Sequence, residues 1–331
     1  MSRILVSSRS FGQVAPIGNT ILEEAGHDVE RVGSEHRPLD AAKLARIVKE
    51  AAPHALLAGA EPIPREVLTA SSNLRMVQKH GVGVDNIDLG AATELGIAVA
   101  NAPATNTDAV ADLTVGFMLA LLRSIFPAAD STRAGKWERF VGRELGSITV
   151  GVVGTGQIGR SVIRRLSGFR PRILAFDVYQ DAALSEKEGF EYVPLDQLLL
   201  ESDLVTLHVP LMDATRKMIS EKKLRLMKPT ACLINIARGE LVDEEALAEA
   251  LASGGLAGAG VDVFATEPPQ SSPLLKLKNV IATPHIGAYT SEAMETMATR
   301  CAETVVAVLA GNLPENVLNR EALPADRPTA S

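Results

Sequence analysis

The stretch Val150–Arg160, VGVVGTGQIGR, decides how the rest of the chain is read. An apolar run leads directly into Gly154-x-Gly156-x-x-Gly159, and an amphipathic segment follows, with Ile158, Val162, Ile163, Leu166 and Phe169 at helical spacing. A strand that turns on glycine into a helix can cradle a pyrophosphate. Gly154 permits the tight turn, Gly156 lets the backbone approach the phosphates, and Gly159 lets the helix pack on the strand. The N–H groups of Gln157 and Ile158 then face the phosphates. The next strand, RILAFD, ends in Asp177, an acid in the right place for the ribose hydroxyls of an adenosine. A 2′-phosphate would be repelled there and no arginine directly follows, so NAD is favoured over NADP.

Working outward, the pattern is strand–helix alternation in both directions, which implies parallel α/β sheets. N-terminal to the glycine turn, strands are expected at Ile4–Ser7, Val29–Val32, Ala55–Ala58 and Met76–Lys79. Helices are expected at 17–26, 40–51 and 64–71. The segment Asn106–Arg123 reads as a long, nearly all-apolar and therefore buried helix, with Asn106 as N-cap and Asp108 in the first turn. From Thr149, strands are expected at 149–153, 172–176, Leu204–His208, Ala231–Asn235, Gly258–Asp262 and Val280–Ala282, with a helix at 157–168. A last helix, about 290–311, is long enough to return to the first half. The expected organisation is a discontinuous substrate domain (1–104 plus 287–318), a dinucleotide domain (105–286) and a loose tail (319–331). Hinges are expected near 103–106 and 286–289.

Bulk properties narrow the function. The 331 residues suffice for about two domains. A formal charge of −7 and a pI of about 5.5 argue against nucleic-acid or anionic-membrane partners. Two distant cysteines and six histidines show no zinc spacing, so no metal is expected and a reducing cytoplasm fits. The N-terminus reads as a strand, too short for a signal peptide, and no apolar run approaches a membrane span.

Three strand ends of the second half carry usable groups: Arg238 in CLINIARGE, Asp262 and Glu267 in GAGVDVFATEPP, and His285 in NVIATPHIG. Open α/β sheets bind ligands at the carboxyl ends of their strands. Reduction of a 2-keto acid requires a proton donor, a cation for the carboxylate and an acid that keeps the donor charged. His285, Arg238 and Glu267 supply those three. Each also has a structural alternative. Arg238 could cap a helix or pair with Asp243 or Glu244, Glu267 could be a solvated loop carboxylate, and His285 could bond a carbonyl.

The segments HGVGVDNID, VGVVGTGQIGR, LHVPLMDATR, LINIARGELVDEEAL, GVDVFATEPP and TPHIG, in this order, resemble the D-isomer-specific 2-hydroxyacid dehydrogenases, most closely the phosphoglycerate-dehydrogenase-like branch. The resemblance runs from about residue 74 to 318. It implies two Rossmann-like or flavodoxin-like lobes with parallel sheets and a cleft between them, and a homodimer. It also implies a small anionic 2-hydroxy or 2-keto acid substrate. Arg238 becomes the substrate clamp, Glu267 the partner of the histidine, and His285 the acid–base. Further cofactor contacts implied are Thr114 near the phosphates, Val209 and Pro210 beside the adenine with Thr215 near them, the Ile236 backbone, and Asp262 on the nicotinamide amide. Val82 and Gly83 would offer backbone N–H groups to the substrate carboxylate. Lys79 would meet a second anionic group, with Arg9 the less favoured candidate for that task. AGKWERF resembles a dimer arm anchored by Trp137, the alternative being a local core tryptophan. Two departures, Asp112-Leu113 in the long helix and Tyr289 after TPHIGA, put 3-phosphoglycerate itself in doubt. Rival readings are an NAD-sensing corepressor-like binding protein and dehydrogenases of phosphite or formate type.

Overall fold

The computed structural model describes residues 1–320. The chain divides into two compact units, Met1–Asn106 with the chain from Tyr289 onward, and Thr107–Ala288. The boundaries fall at residues 106/107 and 288/289.

The first unit is built on a five-stranded sheet of β1 (Arg3–Val6), β2 (Asp28–Arg31), β3 (Ala55–Ala58), β4 (Met76–Lys79) and β5 (Ala98–Ala100), in the order β2-β1-β3-β4-β5. All pairings are parallel. Alternation puts Leu5, Leu56, Val77 and Val99 into a core with Leu44, Val48 and Val67 on one face. The helix Ser291–Leu309, N-capped by the Thr290 hydroxyl, packs on helix Ile17–Glu24 and against β3 and β4. The final helix therefore returns to the first half. β5 escapes sequence reading because three residues, AVA, carry no pattern. Asn319 is buried, not part of a loose tail: its side chain accepts from Val99 N (2.9 Å) and donates to Ile97 O (2.9 Å), and Leu318 N donates to Val99 O. The rest of the expected tail, 321–331, lies outside the described residues.

The second unit holds β6 (Thr149–Val153), β7 (Arg172–Phe176), β8 (Glu191–Tyr192), β9 (Leu204–Leu207), β10 (Cys232–Asn235), β11 (Gly258–Val261) and β12 (Val280–Ala282). They form one parallel sheet in the order β12-β11-β10-β9-β6-β7-β8. Both faces are covered, as parallel sheets require. Val150 and Val152 point into one core with Leu166 and Phe117, while Val153, Val205 and Leu233 point into the other. The helix Thr107–Leu122 packs on helix Gln157–Leu166 and on β10 and β11. Gly260 makes room for it, because a Cβ there would lie 2.7 Å from the Phe117 ring. Arg165 ties the two helices through Asp112 (2.6 Å) and Asp108 (3.1 Å), which gives the unusual Asp112 a structural partner. Phe169 lies past the end of its helix and is exposed rather than on the apolar face.

Candidate active site

At the end of β6 the three glycines of the turn answer to three different constraints. Gly154 has φ +97°, and a Cβ there would stand 2.6 Å from the His208 carbonyl oxygen. A Cβ on Gly159 would lie 2.0 Å from Gly154 O, so the helix sits directly on the turn. Gly156 has nothing within 4 Å of such a Cβ, which leaves its outer side open to a ligand. The helix starts at Gln157, so its first N–H groups point out of the turn. Asp177 closes the other side. Its Oδ2 accepts from Thr155 N (2.6 Å) and Thr155 Oγ1 (3.1 Å), and its Oδ1 from Tyr179 N (3.0 Å). Burial pushes its pKa up, but those bonds outweigh it and hold the carboxyl below the usual range, ionised for ribose hydroxyls. These residues fit a dinucleotide with an unphosphorylated ribose.

The candidate catalytic side chains follow the carboxyl ends of β10, β11 and β12. Arg238 follows β10 in extended conformation, and its carbonyl is held by Asn235 Nδ2 (2.7 Å). Gly239 must be glycine, because a Cβ would sit 2.0 Å from the Phe264 carbonyl carbon. That contact presses the arginine loop onto the loop that leads to Glu267. The Glu267 carboxylate accepts from Phe264 N (3.1 Å) through Oε1 and meets His285 Nδ1 at 2.9 Å through Oε2. Partial burial raises the Glu267 pKa, but the His285 hydrogen bond and charge, the Phe264 N–H and the Arg238 charge together bring it below the ordinary value. Arg238, Glu267 and His285 thus share one electrostatic environment. Of the alternatives for Arg238, it does take the N-cap position of the short turn Gly239–Leu241, with no capping bond from its side chain. Asp243 meets Lys217 (3.1 Å), and Glu244 accepts from Ala265 N.

His285 has φ +54°, a left-handed conformation uncommon outside glycine. Asp262 imposes it. Fully buried, its carboxylate accepts from Thr283 Oγ1 (2.5 Å), Ile286 N (2.8 Å) and Gly287 N (2.8 Å), while Asp262 O accepts from His285 N (2.8 Å). Burial pushes the Asp262 carboxyl above the usual range against the pull of those bonds. These bonds clamp the TPHIG turn, a structural role the sequence reading did not include. The three donors occupy most of the carboxylate's acceptor capacity.

Other expected contacts sort themselves. Thr114 is fully buried and its hydroxyl donates to Val110 O one turn back (2.7 Å). Val209 is half-buried and Pro210 exposed after β9, and Thr215 closes their loop by donating to Pro210 O (2.7 Å). Ile236 is buried in the core beside β10. In the first unit, Val82 lies in the turn after β4, its carbonyl held by Asn101 Nδ2 (2.7 Å), with Gly83 next to it. Lys79 Nζ donates to Gly59 O (2.6 Å) and Asn86 Oδ1 (2.7 Å). That makes it a brace between two loops at the end of β4. Trp137 is 72% exposed, which excludes a local core role in this chain.

Comparison with known proteins agrees with this geometry. Residues 115–287 match the family model for the D-isomer specific 2-hydroxyacid dehydrogenase, NAD binding domain. The chain is 42% identical over 310 residues to D-3-phosphoglycerate dehydrogenase of Methanocaldococcus jannaschii, covering 93% of this chain but 58% of that protein. It is 41% identical over 320 residues to glyoxylate reductase of Pyrococcus furiosus, covering 94% of both. The structure of D-lactate dehydrogenase from Aquifex aeolicus, complexed with NAD and lactic acid, superposes with a TM-score of 0.82 at 29% identity, over 94% of this chain and 96% of that one. With its glycine turn, its acid at Asp177 and these relatives, the chain belongs to the D-isomer-specific 2-hydroxyacid dehydrogenases, and its second unit is the NAD-binding domain of that family.

Proposed function

We propose that the chain interconverts a small D-2-hydroxy acid and its 2-keto acid, of glyoxylate/hydroxypyruvate or phosphoglycerate type, with NAD. The observation that carries this reading is the 2.9 Å contact between Glu267 Oε2 and His285 Nδ1. With Nδ1 engaged by a carboxylate, Nε2 is the nitrogen left to exchange a proton with substrate. NAD, when bound, supplies or accepts the hydride. In reduction His285 Nε2–H protonates the keto oxygen, and in oxidation the same nitrogen takes the hydroxyl proton back. Glu267 stabilises the charged imidazole. Arg238 holds the substrate carboxylate with its two-pronged guanidinium and polarises the carbonyl. Val82 and Gly83 are proposed as backbone donors to the substrate.

A half-exposed histidine paired with a carboxylate favours turnover over a purely NAD-sensing protein. The test is a panel of 2-keto acids with NADH and with NADPH, followed by loss of reduced cofactor. Reduction of glyoxylate or hydroxypyruvate with NADH is expected. Inactivity across the panel would overturn the reading and favour the binding protein.

We further propose a homodimer, in the cytoplasm. Ile125, Phe126, Trp137, Phe140 and Val141 are each more than 40% exposed along one segment, an apolar area that monomers rarely leave uncovered. The two cysteines are unpaired and buried, in keeping with a reducing compartment. Sedimentation should give a dimer, and Trp137→Glu with Val141→Glu should give a monomer.

A further inference from the structure

The glycine turn carries a guanidinium within one residue of the ribose acid. No arginine directly follows Asp177 in the chain, but the fold brings one from the preceding helix. Arg160 lies in the first turn of the helix Gln157–Leu166, and its Nε donates to Thr155 O (2.8 Å). The same Thr155 donates to Asp177 from its backbone N (2.6 Å) and its hydroxyl (3.1 Å). Thr155 is thus the one residue between Arg160 and the carboxylate that faces the ribose.

Asp181 keeps that guanidinium occupied. Its Oδ2 meets Arg160 Nη2 at 3.4 Å, and the two side chains are 31% and 36% exposed. Its Oδ1 accepts from Leu184 N (3.0 Å) and caps the helix Ala182–Glu188. Its backbone N–H donates to Tyr192 Oη (3.3 Å). The direction of the remaining bonds follows, because a carboxylate only accepts. The Thr155 hydroxyl gives its one proton to Asp177, so the Tyr192 hydroxyl donates to Thr155 Oγ1 (2.9 Å). The series Asp181, Tyr192, Thr155, Asp177 ties the two carboxylates to each other. Arg164, on the same helix as Arg160, is taken up by Glu188 (3.3 Å).

We propose that Asp181 is a second determinant of cofactor choice, a positioning residue that acts through Arg160. A 2′-phosphate on the ribose would stand beside Asp177 and need a guanidinium to hold it. Arg160 is placed next to that edge but already has a counter-charge in Asp181. NADP is therefore refused twice, by repulsion from Asp177 and by the engagement of Arg160. The Arg160–Asp181 contact is long and partly solvated, so neutralising Asp181 frees the guanidinium without stranding a buried charge. Asparagine or serine at 181 keeps the helix cap, and an asparagine that caps with its oxygen turns its NH2 toward Arg160.

The test is an equilibrium titration with NADPH and with NADH, followed by nucleotide fluorescence without substrate. Three proteins are compared: Asp177→Ala, Asp177→Ala with Asp181→Asn, and that pair with Arg160→Ala. Adding Asp181→Asn is expected to tighten NADPH by about fivefold, the scale of one exposed charge pair, and to leave NADH within about twofold. Adding Arg160→Ala is expected to cancel the gain. NADH binding reports that the turn is intact, and Asp181→Ser is the second variant where asparagine disturbs it. No gain for NADPH, including binding too weak to measure in both proteins, overturns the proposal. A gain that survives Arg160→Ala also overturns it, because Asp181 would then act by its own charge. An equal gain for both nucleotides does the same, since the 2′-phosphate would play no part. Binding needs no turnover, so the outcome stands apart from the hydride reading.

Discussion

Two histidines follow strand ends of two parallel sheets, and they have opposite surroundings. His285, after β12, is 47% exposed and sits on the Glu267 carboxylate. His80, after β4, is buried edge-on against Phe11, among serine hydroxyls and near cations. The same fold rule brings both to the carboxyl end of a sheet. Only the first has a counter-charge to stabilise a proton and an open side from which to deliver it. Position in an α/β sheet nominates a residue; its partners decide what it can do.

The comparison can be broken most forcefully at Arg238. If the second unit's strand ends are the chemical site, Arg238→Ala should lower kcat/KM for a 2-keto acid by roughly two to three decades. That is the scale of about 2–5 kcal/mol for removing one partner of a buried charge pair. The measurement is a steady-state assay against substrate concentration, and a loss under threefold would remove Arg238 from the site.

A second prediction concerns the buried histidine. Burial, then the charges of Lys79 and Arg31, lowers His80 from 6.5 to about 4. Between those values the unfolded chain binds a proton that the folded chain refuses. The contribution is therefore fully present above pH 6.5 and is lost as pH falls toward 4, by about 3 kcal/mol. Calorimetric melts at pH 7 and pH 5 should show the first unit weakening, and His80→Phe should reduce the difference. The smallest effect is expected at the cofactor. Asp177→Ala should narrow the preference for NADH over NADPH by roughly tenfold, the scale of one or two hydrogen bonds. An unchanged ratio would remove Asp177 from the ribose.

Legibility in the sequence followed the range of the interactions. The glycine turn was readable because its three glycines fall at a fixed local spacing right after an apolar run, and Gly159 answers to Gly154 only five residues away. Arg238, Glu267 and His285 could be nominated because each follows an apolar run that reads as a strand. The strands β5 and β8, three and two residues long, were not readable, since neither has room for a period. Bonds to distant partners were not readable. The acceptors of Lys79, Gly59 and Asn86, belong to other loops. The turn that Asp262 clamps lies more than twenty residues away.

The central claim is that proton transfer belongs to His285 and not to His80. The most direct measurement is kcat for glyoxylate reduction by NADH in three proteins: the parent, His285→Ala and His80→Ala. The predicted result is a loss of about two to four decades for His285→Ala, the range of general acid–base catalysis, with His80→Ala within about tenfold of the parent. Undiminished turnover in His285→Ala, on a substrate the parent reduces, would contradict the account.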